Sequence, residues 1–146
     1  MSDIMALIPA RSGSKGLIDK NVKLLNGHPL LAYTIRAACL TKDIDRVIVS
    51  TDSEKYATIA KDYGAEIPFM RPSELAQDDS PDIDFFQHAI SRLGESGYRP
   101  DIIVQLRPTD PIRKPGLVDK AVQMLIDNPK AHSVRTITKP PHTPYK

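Results

Sequence analysis

The sequence predicts an α/β fold, a mostly parallel sheet with helices on both faces in three α/β/α layers. Two observations carry this. Short β-branched runs alternate with longer amphipathic segments, so each strand is followed by a crossover helix. The three clearest runs each lead into a polar loop, which in such sheets collects at the carboxyl ends of the strands, where ligands bind.

In chain order, "IMALIPA" (4–10) reads as the first buried parallel strand. Leu30, Leu31, Thr34, Ile35 and Ala38 then give an apolar helical face. "RVIVSTD" (46–52) is the second strand, and Tyr56, Ile59, Ala60 and Tyr63 mark the next helix. Thr51 and Glu54 have the spacing of a capping box for it; Asp52 could instead face a ligand, and capping is the preferred reading. "AEIPF" (65–69) is a weaker strand. Ser80, ahead of Pro81, Asp82 and Asp84, has an ordinary N-cap arrangement. Ile83, Phe86, Ile90 and Leu93 form the face of the helix it opens. "DIIVQLRP" (101–108) is the third clear strand. Leu117, Val118, Ala121, Val122, Leu125 and Ile126 are the clearest helical face of all, and "SVRTIT" (133–138) is a last weak strand.

A chain of 146 residues fits one domain, 1–146, with a real core. The proline-rich "TKPPHTPYK" offers no turn back into the sheet, so the domain reads as truncated at its C-terminus. A net charge of +2 is too mild to argue for nucleic acid or an anionic membrane, so any basic site has to be local. The single Cys39 excludes an internal disulfide and, lying in an apolar helix, is expected to be buried. No stretch reaches membrane-span length and the N-terminus lacks a secretory pattern, which reads as cytoplasmic. The four histidines have no metal-ligand spacing; His88 is expected to be a packed neighbour of the core. Tyr33, Phe85 and Phe86 are read as core packing.

The informative stretch is "IPARSGSKGLIDKN" (8–21), which places two glycines and the cations Arg11, Lys15 and Lys20 in one early loop. Glycines let backbone amides turn inward and cations offset negative charge, so an anion site is the favoured reading over a solvated loop. The spacing matches neither the G-x-x-x-x-G-K-[ST] phosphate loop nor the G-x-G-x-x-G dinucleotide turn.

This stretch, together with "GHPLLAYTI", "VIVSTDSEKYATIAKDYGAEIPFMRP" and "RPTDPIR", closely resembles the acylneuraminate (CMP-sialic acid) cytidylyltransferases, with the blocks in family order. The resemblance implies a Rossmann-like domain of the nucleotide-diphospho-sugar transferase type. It also implies a reaction in which the anomeric hydroxyl of a nine-carbon 2-keto acid sugar attacks the α-phosphate of CTP and pyrophosphate leaves. It implies Mg²⁺, held by aspartates beyond residue 146 with no metal ligand in this chain, and a homodimer for full-length members.

Carried over residue by residue, Arg11 and Lys20 would be the catalytic cations. Ala10, Arg11, Gly13, Ser14, Lys15, Gly16 and Asn21 would hold the nucleotide, with Arg71 reading cytosine and Ser80 touching the nucleoside. Arg107, Thr109 and Lys146 would meet the sugar. Arg107 stands where many members have glutamine. It would either pair with the substrate carboxylate or form a structural ion pair with Asp110 or Asp101. The alternatives are a non-catalytic CTP-binding module and, less favoured, a KDO cytidylyltransferase, whose loop pattern "SGSKGLIDKN" departs from.

Overall fold

The computed structural model describes residues 2–14 and 16–138. Strand β1 (Ile4–Pro9) lies between β4 (Arg46–Ser50) and β5 (Ile102–Gln105), parallel to both. Its register sets Pro9 beside Ser50 and Leu7 beside Gln105, so all three strands end at one edge of the sheet. The helices are α1 (Leu30–Cys39), α2 (Glu54–Asp62), α3 (Asp82–Glu95) and α4 (Leu117–Ile126).

The period-two alternation of β1 divides the core. Ile4, Ala6 and Ile8 point to one face, packing with Leu31 and Ile35 of α1, Tyr56 and Ala60 of α2, and Val118 and Val122 of α4. Met5 and Leu7 point to the other, against Phe85, Ala89 and Leu93 of α3. The expected three layers are therefore present.

Several local expectations fail. Residues 65–69 contribute one parallel bridge, Ile48 to Glu66, rather than a strand. Residues 133–138 form no strand. A small hairpin, β2 (Leu24–Leu25) and β3 (His28–Pro29), was not anticipated. Its turn is Asn26-Gly27, both with positive φ (48° and 83°), a pair suited to a tight hairpin. The buried stripe of α3 is Phe85, Ala89 and Leu93, whereas Ile83 and Ile90 face solvent. Cys39, at the last turn of α1, is exposed rather than buried. Helix α2 is capped by Ser53, whose Oγ accepts from Tyr56 N at 3.4 Å; Thr51 Oγ1 accepts from Ser53 N instead.

Candidate functional site

A cleft of about 290 Å³ opens at the carboxyl ends of the strands, where an α/β sheet of this kind binds ligands. Its lining unites the loop after β1 (Arg11, Ser14, Lys20, Asn21), Arg71, Ser80 and the residues after β5 (Arg107, Thr109). Eight of the predicted site residues thus come together from four separate stretches. Lys15 and Lys146 lie outside the described residues.

The loop after β1 is strapped down at three points. Ser12 donates from both its N and its Oγ to Asp52, at 2.7 and 2.6 Å, so Asp52 neither caps α2 nor faces the cleft as a free acid. Asn21, buried, donates from Nδ2 to the Arg11 carbonyl at 3.1 Å. Asp19 adopts φ +55°, uncommon for a residue with a Cβ, and is held there by Lys55 Nζ and the Tyr56 hydroxyl, each at 2.9 Å. The hydrogen bond from Lys55, then that from Tyr56, keep the Asp19 carboxyl below the usual carboxylate range. Burial, reinforced by Asp19, pushes the Tyr56 hydroxyl up. The next residue after Asp19 is Lys20, on the cleft wall.

Arg71 is the most deeply set of the cations, only 5% exposed. It donates from Nη2 to the Ser50 carbonyl at 2.7 Å and from Nε to Ser50 Oγ at 3.0 Å, and its guanidinium lies 4.9 Å over the Phe85 ring. Burial draws its pKa down to about 10, so it stays charged at neutral pH. Phe85 therefore packs in the core, as expected, and also lines the cleft.

Opposite stands the segment 73–82, whose carboxylates the sequence reading missed because their partners are distant in the chain. Asp78 pairs with Arg11 at 2.5 Å, and Asp82 pairs with Arg107. The structural partner of Arg107 is thus neither Asp110 nor Asp101. Ser80 does not cap α3; its Oγ donates to the Glu74 carbonyl at 3.3 Å and accepts from Gln77 N at 3.1 Å, fixing this wall. Ala10 does not reach the cleft: its side chain is in the core and its N–H is donated to the Ser50 carbonyl at 3.0 Å. Gly13 and Gly16 are exposed in the loop, outside the lining; the φ of +68° at Gly13 is the conformation that calls for glycine.

Four cations against two carboxylates leave the lining with two net positive charges, suited to a polyanion. Among the described residues no three His, Cys, Asp or Glu side chains converge on a metal position. Nor is any described helix long and apolar enough to cross a membrane.

Known proteins resemble this chain in sequence and in fold. A family model described as cytidylyltransferase matches residues 5–143. N-acylneuraminate cytidylyltransferase of Escherichia coli is 42% identical over 93% of this chain and 31% of its own length. CMP-N,N'-diacetyllegionaminic acid synthase of Legionella pneumophila is 40% identical over 83% of this chain and 52% of its own length. This chain therefore spans about a third to a half of these relatives. Among solved structures, CMP:2-keto-3-deoxy-manno-octonic acid synthetase complexed with CTP superposes with a TM-score of 0.74 at 22% identity. It covers 88% of this chain and 49% of that one, a likeness of fold.

Proposed function

This chain belongs to the cytidylyltransferase family, and from that premise we propose that its cleft binds CTP and serves the transfer of CMP to a nine-carbon 2-keto acid sugar. The observation that carries the proposal is the gathering of Arg11, Lys20, Arg71 and Arg107 around one opening at the strand ends.

On this reading the triphosphate lies along the loop after β1, met by Arg11, Ser14, Lys15 and Lys20, with Gly13 and Gly16 allowing the backbone to approach. Arg71, with Ser80 nearby, faces the cytosine; fixed by Ser50 and Phe85, it meets the base without losing side-chain freedom on binding. Arg107, Thr109 and Lys146 serve the acid sugar.

The anomeric oxygen bonds to the α-phosphorus, the bridging oxygen to the β-phosphorus leaves with pyrophosphate, and the hydroxyl proton passes to solvent. Such a displacement is promoted by alignment and by cations facing the charge that develops, here Arg11 and Lys20. Mg²⁺ belongs to the proposal as a partner of the triphosphate. The described carboxylates do not form a cage for it, so no step is assigned to it. The same reading takes the whole protein as a cytoplasmic homodimer with no nucleic-acid or membrane partner.

The test is pyrophosphate release from CTP with magnesium and N-acetylneuraminate, N,N'-diacetyllegionaminate or 3-deoxy-manno-octulosonate. Release with a nine-carbon acid supports the proposal. Release with the eight-carbon acid alone replaces the substrate class, and CTP binding without release with any acid favours a non-catalytic module.

A further inference from the structure

Arg107 is anchored by its backbone and exposed at its head. Its carbonyl accepts from Arg113 Nη2 at 2.6 Å and Thr34 Oγ1 at 3.4 Å, while its side chain is 57% exposed. Among the described residues, its guanidinium is engaged through Nη2 alone, by Asp82 Oδ2, and the same oxygen accepts from Gln105 Nε2 at 3.1 Å. Asp82 opens α3, where the helix dipole favours its charge. Asp82, Arg107 and Thr109 also stand where the cleft meets a second, larger groove of about 850 Å³ along β5 and α4. A ligand bridging the two spaces passes this ion pair.

We propose that Asp82 is an internal counter-ion which competes with an anionic sugar for Arg107, and so sets how strongly the protein selects a carboxylate-bearing acceptor. The inference rests on the acid-sugar reading above and extends it to a residue that reading does not use. A guanidinium already neutralised by a carboxylate attracts a second one weakly. An incoming carboxylate must take Arg107 from Asp82 or share it at the expense of like-charge repulsion. Both groups are well hydrated, so the exchange is shallow, and a ligand already held by its other contacts can drive it. A small free carboxylate, lacking those contacts, cannot.

The experiment compares the KM of the accepted nine-carbon acid with that of its methyl ester at saturating CTP, in the wild-type protein and in Asp82→Asn, Arg107→Gln and the double variant. Asp82→Asn is expected to lower the KM of the acid about two- to fivefold, the scale of an exposed ion pair, with no matching gain for the ester. Arg107→Gln is expected to raise the KM of the acid. Adding Asp82→Asn to Arg107→Gln then gives a smaller gain than in the wild-type protein, only the screened repulsion between a hydrated Asp82 and the acid, because the competition needs both groups. A tighter acid is a result that damage to the fold does not produce. An unchanged or higher KM for the acid in Asp82→Asn overturns the inference, as does an equal gain for the ester or a gain that is as large without Arg107. If CTP binds but no acid or ester is turned over, the acceptor reading fails and the inference falls with it. If CTP does not bind, the nucleotide reading itself fails.

Discussion

The two flanks of β1 differ in how they are finished. On the β4 side, Val47, Ile48, Val49 and Ser50 are all buried, and the polar groups beyond them form a closed set: Arg71 on Ser50, Asp52 on Ser12, Asp19 on Tyr56. On the β5 side, Ile102, Ile103 and Val104 are only half-buried, α4 buries Val118 and Val122 alone, and the strand leads to an exposed Arg107–Asp82 pair. In the proposed site the base-facing donor, Arg71, is thus fixed and buried, whereas the sugar half consists of solvated groups free to change partners. Rigid groups discriminate one base from another, because a wrong base leaves a buried donor unmatched. Exposed charges tune affinity by smaller steps.

The largest difference between the flanks should appear at the two arginines. Arg71→Ala removes a buried side chain, takes one of the two donors from the Ser50 carbonyl, which keeps Ala10 N, and leaves Ser50 Oγ without the Arg71 Nε donor, an expected loss of about 2–4 kcal/mol in denaturant unfolding. Arg107→Ala should lose less than about 1 kcal/mol, as exposed ion pairs do. Equal losses would mean that the flanks are not mechanically distinct. A smaller contrast is expected in the strands. Val49→Ala should cost about 2 kcal/mol and Val104→Ala about half of that, read from the same unfolding curves. Were Val104 the costlier, the β5 flank would be better packed than its exposure indicates.

The smallest effect is one of pH. His88 packs edge-on against Phe69, 5.1 Å between ring centres, and its Nδ1 is buried with no hydrogen-bond partner among the described residues. Burial, with Arg92 and Arg71 adding to it, holds its pKa below the ordinary 6.5. The unfolded chain therefore takes up the proton first, and stability falls as pH drops through and below 6.5. His88→Gln should flatten that slope between pH 7 and 5.5; an unchanged slope would assign it to other groups.

Much of this contrast was legible in the sequence, and its limits have physical causes. The β-branched runs of β1, β4 and β5 and the periodic faces of α1, α2 and α4 mark their elements because burial on fixed faces imposes the pattern. In α3 two isoleucines on the wrong face outweighed Ala89, because hydrophobicity says what tolerates burial and not which face is covered. The Asn26-Gly27 turn was in plain view, but its flanking strands are only two residues each. Arg11, Lys20, Asn21, Arg71 and Arg107 were found because each sits in a motif. Asp78, Asp82, Asp19 and Asp52 act through partners 25 to 67 positions away, and only folding reveals such pairs.

If the cleft binds CTP as proposed, its base selectivity comes from Arg71 on the rigid β4 flank. Calorimetric titration of CTP, ATP, GTP and UTP with magnesium, on the wild-type protein, Lys20→Ala and Arg71→Lys, tests it most directly. Tightest binding is expected for CTP, with weakening of all four by about tenfold in Lys20→Ala, as for loss of one charge-assisted contact, and loss of the CTP preference in Arg71→Lys. Equal binding of the four nucleotides by the wild-type protein, or a CTP preference that survives Arg71→Lys intact, would contradict it.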